Sequence, residues 1–236
     1  MSKKRKDIVE INVPVTKPIK SVGKLELRTI IPLTRNQELT FDAYSEGKQL
    51  CLHGMAGTGK SFISLYLALK EQKHSSYKNV KIVRSVVPSR DVGFLPGTLE
   101  EKQKIFEQPY VHMVNNLYTR SDAYAILVDK GILEFCTTSF LRGETFEKSI
   151  IIVDEIQNMS FGELDTVITR VGDDCRTIFC GDYRQSDLPN HDGLDRFLDI
   201  LETMECFKWI EFLADDIVRN PLVKKYIIAR EAMKNG

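Results

Sequence analysis

Apolar positions along this chain follow two rhythms. Six short runs are almost continuously hydrophobic: QLCLH (49–53), VKIVRS (80–85), ILEFCTT (132–138), SIIIVDE (149–155), RTIFCGD (176–182) and KWIEFL (208–213). Continuous rather than alternating runs of this length predict strands buried on both faces. Between them the spacing turns helical, and it predicts helices near 60–73, 109–120, 160–171, 191–204 and 220–233. Strand alternating with helix implies an α/β fold with a mainly parallel sheet covered on both sides. In such sheets ligands bind beyond the carboxyl ends of the strands. Trp209 and Phe212, in the last run, are expected in the core. Residues 1–24 carry Pro14, Pro18 and the basic run KKRK, and read as an N-terminal arm ahead of a domain at 25–236.

Composition narrows the picture. With 236 residues, 42% of them hydrophobic, the chain can bury a sizeable core. Lys and Arg total 33 and Asp and Glu total 33, so net charge favours no class of partner, although a local basic stripe fits within that balance. Cysteines stand at 51, 136, 175, 180 and 206 with no CxxC pair, which predicts reduced, mostly buried thiols in a cytoplasmic protein rather than a disulfide framework or zinc site. The histidines at 53, 74, 112 and 191 lack metal-ligand spacing. No apolar stretch approaches the ~20 residues that span a bilayer, so no membrane partner is expected.

The chemistry sits at the strand ends. Gly54-Met55-Ala56-Gly57-Thr58-Gly59-Lys60-Ser61 matches GxxxxGK[ST], follows a strand and opens a helix. Glycines let backbone N–H groups turn inward, and the helix N-terminus adds positive potential. Lys60 supplies a charge to β- and γ-phosphates, and Ser61 offers a hydroxyl to Mg²⁺. Phe62 continues the helix start. The run Ile150–Val153 ends in Asp154-Glu155; desolvating two adjacent carboxylates is costly, so they need a task. Alternation along a strand gives them different ones: Asp154 holds Mg²⁺, and Glu155 orients and deprotonates the attacking water. After the run 176–180, Gln185 is an amide able to bond both a γ-phosphate and that water.

Together these motifs resemble the PhoH-like ATPases, whose core is related to the first motor domain of superfamily 1 helicases. The resemblance covers most of residues 30–231. It rests on GMAGTGKS (54–61), GFLPGTLEEK (93–102), FLRGETFEKSIIIVDEIQNMS (140–160), GDYRQSDLP (181–189) and DIVRNPLV (216–223). It implies a three-layer RecA-like P-loop NTPase fold. It implies that Lys60 and Ser61 serve phosphate and Mg²⁺, that Asp154 and Glu155 are the metal and base pair, and that Gln185 senses the γ-phosphate. It implies that Gln37 reads adenine, so that ATP is preferred, and that Arg219 reaches a γ-phosphate, that of a neighbouring subunit in a ring such as a hexamer. The arginine comes either from another chain or from the C-terminal helix folding back. Arg84, Arg90 and Arg142 are the candidates for nucleic-acid phosphates, with internal ion pairing as the alternative for Arg84 and Arg142. The sequence departs from the family pattern at Ser85, where a proline is usual, and at Arg184, where a threonine is. The expected activity is an ATPase coupled to single-stranded RNA or DNA, or else a nucleotide-dependent switch acting on a protein partner.

Overall fold

The structure, a computed structural model, describes residues 25–85, 99–141, 143, 145–182 and 192–234. Among the described residues, six strands form one sheet: β1 (Gln49–Gly54), β2 (Asn79–Arg84), β3 (Leu133–Thr137), β4 (Ser149–Val153), β5 (Arg176–Gly181) and β6 (Phe207–Phe212). All six expected strands are present. Their order is β3-β2-β4-β5-β1-β6, and every neighbouring pair is parallel.

The continuous apolar runs have a direct cause. Side chains alternate across a strand, and both faces of this sheet are covered. On β4, Ile150 and Ile152 join a core under α1 (Arg35–Ser45), α2 (Lys60–His74), α3 (Leu99–Leu117) and α4 (Ala123–Asp129). Ile151 and Val153 join a second core under α5 (Phe161–Thr169) and α6 (Asp192–Thr203). A seventh helix, α7 (Pro221–Lys234), follows β6. At the sheet edge, β6 does alternate. Ile210 and Phe212 are buried with Glu211 exposed between them, while Lys208, on the same face as Ile210, is exposed near the start of the strand. Trp209 is only partly buried, its ring edge-on to His53 at 6.1 Å, so the expectation of a core tryptophan is corrected by its place on an edge strand. Phe212 is fully buried, as expected.

Three helical details differ from the pattern. α1 has no counterpart among the expected helices, because its surface is mostly polar; Thr34 caps it, its hydroxyl accepting from the Gln37 N–H. α4 is a short helix between longer elements. α3 begins ten residues before the expected start at Pro109, which lies inside the helix. Proline normally ends a helix, because it lacks an N–H and its ring crowds the preceding turn. Here Phe106, Tyr110, Val114 and Leu117 continue the buried stripe across it. Cys51, Cys136 and Cys180 are buried thiols, whereas Cys206 is exposed.

Arg176, at the start of β5, ties the end of the sheet away from the Gly54–Ser61 loop. It donates to both Glu71 carboxylate oxygens at 3.0 and 2.8 Å and to the carbonyls of Tyr44 and Lys48, with its guanidinium 3.5 Å from the Tyr44 ring centroid. Arg176→Ala strands a carboxylate and two carbonyls. It should lower unfolding free energy by about 3 kcal/mol in urea titration, with the m-value unchanged.

Candidate active site

Parallel pairing sets the strand ends level. His53 pairs with Gly181, and Val153 with Val83 and Phe179. The loop after β1 and the residues after β4 are therefore separated by one strand, β5. Two inter-strand steps of ~4.8 Å leave a gap matched to a phosphate chain. A cleft of about 650 Å³ opens there, within the range that holds a nucleotide-sized ligand. Ala56, Gly57, Gly59, Lys60, Ser61, Phe62, Asp154, Glu155 and Arg219 all line it.

The loop turns as its glycines require. Gly54, Gly57 and Gly59 have φ of 109°, 79° and 88°. A Cβ on Gly54 would overlap the Phe212 carbonyl oxygen, and one on Gly57 would stand 2.8 Å from Arg219 Cγ. α2 starts at Gly59 with no side-chain cap, so its first N–H groups remain available to an anion. The loop is braced from several sides. Thr58 Oγ1 donates to the Met55 carbonyl at 2.9 Å, and Met55 N donates to Phe212 O at 2.9 Å. Gln37 lies behind the loop, not among the cleft-lining residues. Its Nε2 donates to Thr58 O at 3.0 Å, and its Oε1 accepts from Leu33 N at 2.7 Å.

Lys60 turns its ammonium onto the loop itself, donating to the carbonyls of Gly54 and Met55 at 2.7 and 2.8 Å. Burial lowers its pKa, opposed by the charges of Asp182, Asp154 and Glu155. Ser61 Oγ donates to Asp154 Oδ1 at 2.9 Å, and Tyr110 Oη donates to Oδ2 at 2.7 Å. Glu155 adopts a left-handed conformation, φ 57° and ψ 43°, which a residue with a side chain holds at a cost; such strain concentrates at functional sites. Desolvation, and then the charge of Asp154, raise its pKa, while Arg84, Gln157 and Lys60 pull it back. Gln157 bridges two strand ends: its Nε2 donates to Glu155 Oε2, and its Oε1 accepts from Asp182 N at 3.0 Å.

Among the described residues, no group of three or more His, Cys, Asp or Glu side chains could hold a metal alone. One hydroxyl and one carboxylate 2.9 Å apart do fit Mg²⁺, which takes few protein ligands and completes its shell with phosphate oxygens and water.

The expected residues divide. Arg84, a candidate for nucleic-acid phosphates or for an internal ion pair, lines this cleft, its guanidinium 5.4 Å from the Phe106 ring centroid. Arg219, expected to come either from another chain or from the C-terminal segment folding back, lines the cleft of its own chain, where Val218 N donates to Gly57 O at 3.2 Å. Gln185, Arg90 and Arg142 lie outside the described residues. Ser85, standing in place of the usual proline, donates to Glu163 Oε1 at 2.7 Å, which Thr138 Oγ1 also reaches at 2.6 Å. Tyr110, Gln157 and Asp182 line the cleft as well, beyond the residues expected there. The DEIQ spacing held a signal for Gln157, whereas nothing near Pro109 marked Tyr110.

The family described as PhoH-like protein matches residues 29–231. The chain belongs to the PhoH-like family. This PhoH-like chain is 30% identical over 207 residues to a PhoH-like protein of Mycobacterium leprae, a match covering 86% of the chain and 58% of the relative. It is 32% identical over 203 residues to protein PhoH of Escherichia coli K12, covering 84% of the chain and 57% of that protein. The chain thus spans little more than half the length of these relatives. In fold it is similar to the large terminase of a thermophilic bacteriophage, at 12% identity and a TM-score of 0.51 over 83% of this chain and 50% of that one. The fold class expected from the strand and helix pattern is the one observed, and the family supports a P-loop NTPase.

Glu155 makes a testable link between site and stability. Its folded pKa is raised above the unfolded value, so its ionisation opposes folding as pH rises through the folded pKa. Glu155→Gln should raise the melting temperature of the ligand-free protein at neutral pH. The gain should shrink as pH falls toward ~4.3, where the unfolded chain also binds the proton. Calorimetry across that range checks both parts.

Proposed function

We propose that this PhoH-like chain binds ATP with Mg²⁺ and hydrolyses it, and that the hydrolysis drives a motor acting on single-stranded RNA or DNA. The observation that carries the reading is the direct bond between the phosphate-loop hydroxyl of Ser61 and the Asp154 carboxylate, in a cleft that also receives Lys60, Glu155 and Arg219.

In this reading Lys60 exchanges its carbonyl partners for β- and γ-phosphate oxygens. Mg²⁺, when bound, offsets phosphate charge. Glu155 has Oε2 held by Gln157, and Oε1 accepts the proton of the water whose oxygen attacks the γ-phosphorus as the β–γ bridging bond breaks. Arg219 offsets developing charge within its own chain, and Gln185 senses the γ-phosphate. Gln37 supports the adenine end through the loop it braces. The nucleic-acid part rests on the family resemblance and on the basic KKRK run, Arg90 and Arg142. Assembly as a ring, a hexamer by the same resemblance, agrees with apolar side chains that α7 exposes, Leu222 and Tyr226 among them.

Steady-state ATP hydrolysis with and without single-stranded RNA or DNA tests the reading. Lys60→Ala and Glu155→Gln should each lower turnover at least ~100-fold. The acid limb of the pH–rate profile should lie above the ordinary glutamate range, because Glu155 must be ionised to accept a proton and its pKa is raised. Stimulation by nucleic acid should fall steeply with salt. Turnover indifferent to nucleic acid would favour the protein-partner switch. Turnover intact in Lys60→Ala would remove the nucleotide site altogether.

A further inference from the structure

Tyr110 reaches the site by a different route from the other polar groups. It comes from α3 rather than from a strand end, and the same helix brings Pro109 and Met113 to the cleft. Its ring packs against Phe135 with centroids 5.5 Å apart, and the residue is 2% exposed. Packing alone would be served by phenylalanine. The hydroxyl does something phenylalanine cannot, donating to Asp154 Oδ2 at 2.7 Å. Since Ser61 holds Oδ1 at 2.9 Å, each oxygen of the carboxylate is fixed from a different element, one by α2 and one by α3.

The hydroxyl is suited to remain a donor. It is buried against Phe135 and faces a carboxylate oxygen, which when ionised can only accept. An ionised carboxylate offers about four lone-pair sites. Oδ2 can therefore accept from Tyr110 and from a metal-bound water together, and the tyrosine need not leave when the metal arrives.

Resting on the nucleotide reading above, the geometry points to Tyr110 as a positioning residue for the Mg²⁺-binding carboxylate, setting the plane in which Asp154 meets the hydrated metal. It acts through the carboxylate it bonds, so its effect falls on metal dependence. Partners that orient a metal ligand from behind typically change metal affinity or activity about 10–100-fold when removed.

Binding of a fluorescent ADP to the full chain, in EDTA and across a Mg²⁺ titration, separates the roles without relying on turnover. Wild type should gain affinity with Mg²⁺. Tyr110→Phe should keep the metal-free affinity and need about 10-fold more Mg²⁺ for half-saturation. An unchanged Mg²⁺ requirement in Tyr110→Phe overturns the proposal, and so does an equal loss of affinity in EDTA, which would mean a packing role. Should that variant not fold, wild type still decides: an assigned Tyr110 ring resonance should broaden on adding Mn²⁺ with ADP, and an unmoved one overturns the proposal. Wild type that binds no ADP in any condition defeats the nucleotide reading itself, an outcome distinct from normal Mg²⁺-dependent binding with an indifferent Tyr110→Phe.

Discussion

A carboxylate taken out of water must be partnered, and the partnering of Asp154 organises everything around it. Its oxygens accept from residues on two helices, one of them 93 positions earlier in the chain. That meeting depends on strand order. With β5 between β1 and β4, the loop and the acid face each other across one strand width. Gly181, at the end of β5, keeps that width clear, since a Cβ there would come within 2.6 Å of Ile156 and 2.7 Å of Gln157. A different order would carry the same motifs on the same strands and leave no cleft between them.

Charged groups of the cleft are partnered by neutral groups of the chain. Lys60 is bonded to carbonyls, Asp154 to hydroxyls, and Glu155 to an amide. None of these is the partner that a triphosphate would supply. On the proposed reading, phosphate binding is an exchange of partners rather than the filling of an unsatisfied site. This limits the affinity gained per contact, but it spares the empty protein the larger penalty of a stranded charge.

How much of this was legible follows from the physics of each element. β4 could be read from its isoleucines because burial on both faces removes polar positions. The loop could be read because left-handed glycines and an uncapped helix start are rare together. α1 was hidden because it buries only a narrow stripe and is held by polar contacts, those of Asn36 to Asp216 and Gln37 to Thr58. Tyr110 was hidden because nothing local distinguishes a buried tyrosine that packs from one that also bonds a distant carboxylate. Arg84 was legible as a strand-end cation, but its direction, into the cleft over Phe106, depends on α3 continuing through Pro109.

The place of Gly54 beneath the Phe212 carbonyl carries a lesson about descent. Any side chain there would push β6 off the sheet edge, whether or not a phosphate ever visits the loop. Architecture alone would keep that glycine in a lineage whose enzyme had fallen silent. A glycine at 54 answers to the seating of the edge strand, whereas Lys60 and Glu155 answer to no such steric demand of the fold.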